Sequence, residues 1–351
     1  MPRATPTGGH PVRRLLAASL GALIGAVAVA APARADVGDV TVHPITTTAG
    51  TLPAGITTGP DGALWFAGPG AGRIGRISAA GDVTDFPTSG PDSLPLDITA
   101  GPDRALWFTE AQANRIGRLT TSGRRTEFRV PTPDGFPAGI ATGPDGALWF
   151  TEQHGNRIGR ITTSGRVTEY PVPTRDSAVH SIAAGADGAL WFTEPAGGRI
   201  GRIGVTGRIT EFTLPRGGAF PDAIVAGPGG MWFTMSGPDP VGRIDSLGKV
   251  TGFRPPDPDS VPAGITRGPD GLVWYADQAG RIGRIDADGA ITSFPVPGGA
   301  DGVPFRVTAG PDGGVWFTEL LGNAVGRVRA LPRRPRGAGT RSVRAPGSLL
   351  L

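Results

Sequence analysis

The chain predicts an all-β fold, a seven-bladed β-propeller closed by its N-terminal strand. Three observations carry the prediction. Seven tryptophans, Trp65, Trp107, Trp149, Trp191, Trp232, Trp274 and Trp316, recur at spacings of 42, 42, 42, 41, 42 and 42 residues. Each sits in a unit of four short strand-like runs, the composition of a propeller blade. The last unit lacks its fourth run, and a matching run stands before the first.

The third unit shows the elements in order. Gly139-Ile140-Ala141-Thr142 is the first strand, and Ala147-Leu148-Trp149-Phe150-Thr151 the second. Arg157-Ile158-Gly159-Arg160-Ile161 is the third, and Val167-Thr168-Glu169-Tyr170 the fourth. Gly143-Pro144-Asp145-Gly146 joins the first two; Pro presets φ and Gly accepts positive φ, so this is a turn. Adjacent Trp and Phe point to opposite faces of a strand, so both faces of each blade are expected to be buried. The turn aspartates (Asp61, Asp103, Asp145, Asp187, Asp270 and Asp312, with Gly229 in the fifth unit) read as turn formers. The repeated arginines Arg76, Arg118, Arg160, Arg202, Arg243, Arg284 and Arg327 read as structural too, since one functional site does not need seven copies.

The ends complete the plan. The seventh unit runs out of strand near Val328, where Leu331-Pro332-Arg333-Arg334-Pro335 follows. Val40-Thr41-Val42-His43-Pro44-Ile45 aligns with Val167-Thr168-Glu169-Tyr170-Pro171-Val172 and supplies the missing strand, which also covers an exposed sheet edge. Residues 36–328 are therefore the propeller. Residues 1–35 read as a secretion signal: Arg3, Arg13 and Arg14, an apolar run from Leu15 to Ala31, then Ala33-Arg34-Ala35, with a mature start near Asp36. Residues 329–351 read as a disordered Arg/Pro-rich tail. With no cysteine in the chain, thiolate metal sites are excluded and stability must come from burial. The two ends hold ten arginines and no acid. The remaining 24 basic residues face 30 acidic ones, so the body is mildly acidic and nucleic-acid binding is not expected.

The units Gly-Ile-x-x-Gly-Pro-Asp-Gly-Ala-Leu-Trp-Phe-Thr-Glu and Asn-Arg-Ile-Gly-Arg-Ile-Thr resemble those of the streptogramin B lyases, also called virginiamycin B lyases, over about residues 40–328. The resemblance implies a seven-bladed propeller and a magnesium-dependent carbon–oxygen lyase that opens a cyclic depsipeptide antibiotic at its ester by elimination, an antibiotic-resistance activity. It also implies two histidines, two glutamates and a tyrosine at set places in the first, sixth and seventh units. Here those places hold Ala54, Ala263, Val303, Phe305 and Leu320. The family's catalytic set is not carried over.

One constellation stands out from the repeat. At the lead-in position before the first strand, His180 fills the fourth unit and Asp222 the fifth. His154 lies in the loop after the second strand of the third unit, and Glu194 ends the second strand of the fourth. In a propeller these loops emerge on one face, so His180, Asp222 and His154 are the candidate catalytic residues, and Asp222 and Glu194 the candidate magnesium ligands. Glu110, Glu152 and Glu319 share the Glu194 position and are expected to pair with repeat arginines. The expected ligand is a small cyclic peptide or lactone. A second expectation is a non-catalytic propeller binding a peptide, glycan or cell-wall component. Either acts outside the cytoplasm, as a monomer, with no membrane span after signal removal.

Overall fold

A computed structural model describes residues 37–78, 80–215 and 219–330. Residues 1–35, read as a signal, and residues 331–351 of the expected tail lie outside the described residues; Arg329, placed in the tail by the sequence reading, instead ends the last strand opposite Gly314. The 28 strands form seven four-stranded antiparallel sheets, each ordered as in the sequence except the last. No described helix is long and apolar enough to cross a membrane.

The last sheet closes the ring. Val40–Pro44 pairs antiparallel with Ala324–Arg329, Val40 opposite Val328 and Pro44 opposite Ala324. His43 then occupies the place of a fourth-strand aromatic. In the other blades each tryptophan stacks on Phe86, Phe128, Tyr170, Phe212, Phe253 or Phe294 of its own fourth strand. In the seventh, Trp316 stacks on His43 at 5.6 Å.

Burial of both faces of each blade divides the core into seven clusters, one per blade interface. Trp65 meets Leu106 and Phe108 of the next blade, and Trp149 meets Leu190 and Phe192. The series ends where Trp316 meets Leu64 and Phe66 of the first blade, so the ring has no unpaired apolar face. At about 1.5–3 kcal/mol for a fully buried large apolar side chain, these interfaces dominate stability. The far end of the Phe ring lies against the glycine of the third strand. A Cβ at Gly159 would stand 2.1 Å from Phe150 Cζ, which is why that glycine recurs.

The turn aspartates do more than form turns. Asp145 Oδ1 accepts from Trp149 Nε1 at 3.0 Å, and Oδ2 accepts from Arg160 Nε at 2.7 Å. The same clamp satisfies the buried indole N–H in six blades. The fifth blade departs from it, and the structure corrects the reading that Gly229 replaces an aspartate. Gly229 has φ 76°, like Gly146 at 72° one place after Asp145. The aspartate is deleted, which accounts for the single 41-residue spacing. Pro228 O accepts from Trp232 Nε1 instead, at 2.9 Å, and Arg243, without its carboxylate, lies over the Trp232 ring.

Candidate functional site

The site is built where the first strands line the central channel. Each first strand begins with a bulge in which two residues face one. In the fourth blade His180 N donates to Thr193 O, and Thr193 N donates to Ser181 O. The threonine of the repeated Trp-Phe-Thr run locks the bulge and ties it to the next blade. Thr151 Oγ1 accepts from Gly139 N at 2.9 Å and donates to His180 O at 2.6 Å. Thr193 Oγ1 accepts from Ser181 N at 2.9 Å and donates to Asp222 O at 2.8 Å. Thr318 Oγ1 accepts from Arg306 N at 3.1 Å. The backbones of His180, Asp222 and Arg306 are thus each held by a buried threonine hydroxyl.

Three side chains from the fourth, fifth and seventh blades converge. His180 Nε2 lies 3.1 Å from Asp222 Oδ1. Arg306 Nη1 donates to Asp222 Oδ2 at 3.1 Å, and Nη2 lies 3.0 Å from His180 Nε2. A guanidinium only donates, so toward Arg306 the imidazole Nε2 is the acceptor. When Nε2 carries a proton, Asp222 Oδ1 is its partner. Arg306 also lies over the Phe305 ring at 4.7 Å. Burial alone would raise the Asp222 carboxyl, but Arg306 and His180 hold it well below the usual carboxylate range. The adjoining cavity, about 190 Å³, is lined by Ala54, Leu96, Asp97, His180, Phe305 and Arg306 among others. Asp97 of the second blade lies at the same cavity, its carboxylate accepting from Ile98 N at 2.9 Å and from Ile140 N of the adjoining blade at 3.0 Å. Burial pushes the Asp97 carboxyl up, against the pull of those N–H groups and of Arg306.

Asp97 and Arg306 were not legible as site residues. Both stand one residue past the lead-in position, where the other units carry Gly55, Gly139, Ser181, Ala223 and Gly264. Two charges among five small residues are the signal that finds them.

The other candidates lie elsewhere. His154 is exposed and stacks on Phe136 at 4.4 Å, beside a shallow hollow with Gln112 and Asp134. No hydrogen bond or ion pair among the described residues joins it to His180. Glu194 has no accessible surface and is not on the rim. The expected arginine pairing of this position is also corrected. Among the described residues Glu110, Glu152, Glu194 and Glu319 form no ion pair with an arginine. In the third and fourth blades the neighbours are instead Glu169 and Glu211, which accept from the N–H and hydroxyl of Thr132 and Thr174. Burial, and then the neighbouring carboxylate, pushes both Glu152 and Glu194 up to about 8.

Magnesium, which the family resemblance implies, does not fit these residues. Asp222 commits one oxygen to a guanidinium and places the other against the imidazole, and Glu194 is enclosed beside a second acid. No three His, Asp or Glu side chains converge as a metal set among the described residues.

The comparisons with known proteins agree with the architecture. The model of the virginiamycin B lyase family matches residues 31–187 and 142–333. A streptogramin B lyase structure is 34% identical, with 82% of this chain and 96% of that chain covered and a TM-score of 0.78. A virginiamycin B lyase from Staphylococcus aureus is 35% identical, with coverage of 84% and 99% and a TM-score of 0.79. A catalytically inactive histidine-to-alanine variant of the S. aureus enzyme, solved with quinupristin, is 34% identical over the same shares, with a TM-score of 0.79. No curated protein matches at a significant level. With the family model spanning most of its length and the seven blades in place, the chain belongs to the virginiamycin B lyase family.

Proposed function

We propose that the chain is a secreted ligand-binding propeller of this family that takes a small cyclic peptide or lactone at the channel mouth without opening it by magnesium-dependent elimination. One observation carries the reading. The positions where the family resemblance implies histidine, glutamate and tyrosine hold Ala54, Ala263, Val303, Phe305 and Leu320, while the charged groups gather on His180, Asp222 and Arg306. Elimination needs a base at a carbon acid and a cation on the carbonyl. The imidazole Nε2 here faces a guanidinium, and the nearby carboxylate is bound to the same guanidinium. The leader in residues 1–35 supports export, where a peptide, glycan or wall component is an alternative ligand.

The test incubates the mature protein, beginning at Asp36, with quinupristin, with and without magnesium. Elimination leaves the mass unchanged, so the product is followed by chromatography. The expected result is intact antibiotic under both conditions, with binding detectable by calorimetry. Efficient linearisation abolished by EDTA overturns the reading.

The 3.1 Å approach of His180 to Asp222 favours a second reading, in which the imidazole is a base oriented by the carboxylate. Under it, slow turnover independent of magnesium is lost in His180→Ala. Equal turnover in that variant removes it.

A further inference from the structure

We propose that the channel cavity beside Arg306 is a binding site for a small oxyanion, a carboxylate or phosphate group. This rests on reading the channel as a ligand site and adds what the ligand presents there.

The argument starts from the backbone. The first strand of each blade is an edge strand whose inner side has no partner strand. In the fourth blade Thr193 N bonds to Ser181 O, and Ala183 stands opposite Trp191. Ile182, between them and opposite Phe192, falls at the position whose N–H turns away from the second strand. Its counterparts are Ile56, Ile98, Ile140, Ile224, Ile265 and Val307, so seven N–H groups ring the channel.

The chain itself shows what this ring binds. Two of the seven, Ile98 N and Ile140 N, are taken by a carboxylate, that of Asp97. A third, Ile224 N, donates to Ser181 Oγ at 3.3 Å. No side chain among the described residues takes Ile56, Ile182, Ile265 or Val307. All four line the one cavity. Ile265, Val307 and Ile56 belong to consecutive blades, with Arg306 in the middle one.

The donor and acceptor account is therefore unequal. The Asp97 oxygens are held by backbone N–H groups, and the Asp222 oxygens by Arg306 and His180. The guanidinium has five N–H donors and directs two at Asp222 and His180. What remains is a surplus of donors around a fixed cation, the arrangement that binds anionic oxygens in backbone nests. Asp97, two blades on from Arg306, is the opposing charge at the same cavity and the internal competitor for the ring.

The test is an amide ¹⁵N–¹H titration of the mature chain with sodium acetate and with sodium phosphate, against sodium chloride at equal ionic strength. Saturable shifts are expected at the Ile56, Ile265 and Val307 amides, with Ile140 unmoved. Arg306→Met is expected to weaken the anion about tenfold or more, and Asp97→Asn to tighten it severalfold. Arg306→Lys keeps the charge without the fork and is expected to fall between, which serves if the Met variant melts early. Shifts that do not saturate, that chloride reproduces, or that survive Arg306→Met overturn the proposal. Saturation by only one of the two anions supports it and names the group. If quinupristin is linearised while the anion still binds, the functional reading fails and this site stands. An intact antibiotic with no anion binding is the reverse.

Discussion

In the second, third, fourth and seventh blades the second strand has a repeated aspartate at its start and a repeated glutamate at its end, and the two ends behave oppositely. At its start, Asp145 lies on an exposed turn and meets a buried indole N–H and an arginine. Burial alone would raise its carboxyl, but Trp149, Arg160 and the Ala147 N–H hold it below its ordinary value. At its end, Glu152 is fully enclosed and meets Glu169, and its carboxyl is pushed up to about 8. Repetition marks both acids as structural. Burial first, and then the partner, decides whether the acid is a charge in a clamp or a buried proton carrier.

Four outcomes break or sharpen this comparison. The largest effect belongs to the core between the two ends. Trp316→Ala removes a side chain 1% exposed that joins the last blade to the first, and it is expected to cost about 3–5 kcal/mol in urea unfolding. A loss below about 1 kcal/mol would show that closure does not depend on this cluster.

Next comes the turn end. Asp145→Ala leaves the Trp149 N–H buried without an acceptor and is expected to cost about 1–3 kcal/mol. His180→Ala, at the partly exposed channel mouth, is expected to stay within about 0.5 kcal/mol of the parent by the same measurement. Equal losses would erase the distinction between repeat clamp and site.

The strand end predicts a pH effect of definite sign. Glu152 and Glu194 have folded values near 8 against an ordinary 4.5. Their contribution to stability is fully present below pH 4.5 and is lost as pH rises through 8. The turn aspartates Asp61, Asp103, Asp145, Asp187 and Asp312 are the mirror case. Each folded value is lowered from 3.8, so their contribution is present above 3.8 and lost as pH falls through the folded value. Glu152→Gln with Glu194→Gln is expected to flatten the fall in Tm between pH 4.5 and pH 8, leaving the limb below pH 4.5 unchanged. An unchanged slope in that window would place the neutral acid elsewhere. The smallest effect is a gain. Inserting one aspartate between Pro228 and Gly229 restores the clamp to Trp232 and Arg243, and is expected to add about 0.5–1.5 kcal/mol in urea unfolding.

Much of the fold was legible because it is periodic. Seven tryptophans gave the blade count, and the displaced run at Val40–Pro44 gave the closure. The deletion beside Gly229 was legible only as a spacing of 41, since one glycine looks like another until its φ is known. His180 and Asp222 were legible because they break the repeat. Asp97 and Arg306 break it too, one residue later, but the bulge that turns this position toward the channel depends on the Thr hydroxyl beneath it. Glu194 was misread because its partner, Glu211, lies on a strand two removed in sequence order and is brought near only by the blade.

By itself, the amino-acid sequence determined the local grammar: which runs become strands, where the turns fall, which faces are apolar, and how many units must share one ring. Those follow from short-range sterics and from alternation along a strand, which any single unit carries. Only the tertiary structure decided which charges meet. Arg306 lies 84 residues from Asp222 and 126 from His180, and their contact exists because ring closure sets the blades around one channel. The electrostatic state of a carboxylate is fixed by what stands within a few ångströms of it, and that is a property of the assembled ring.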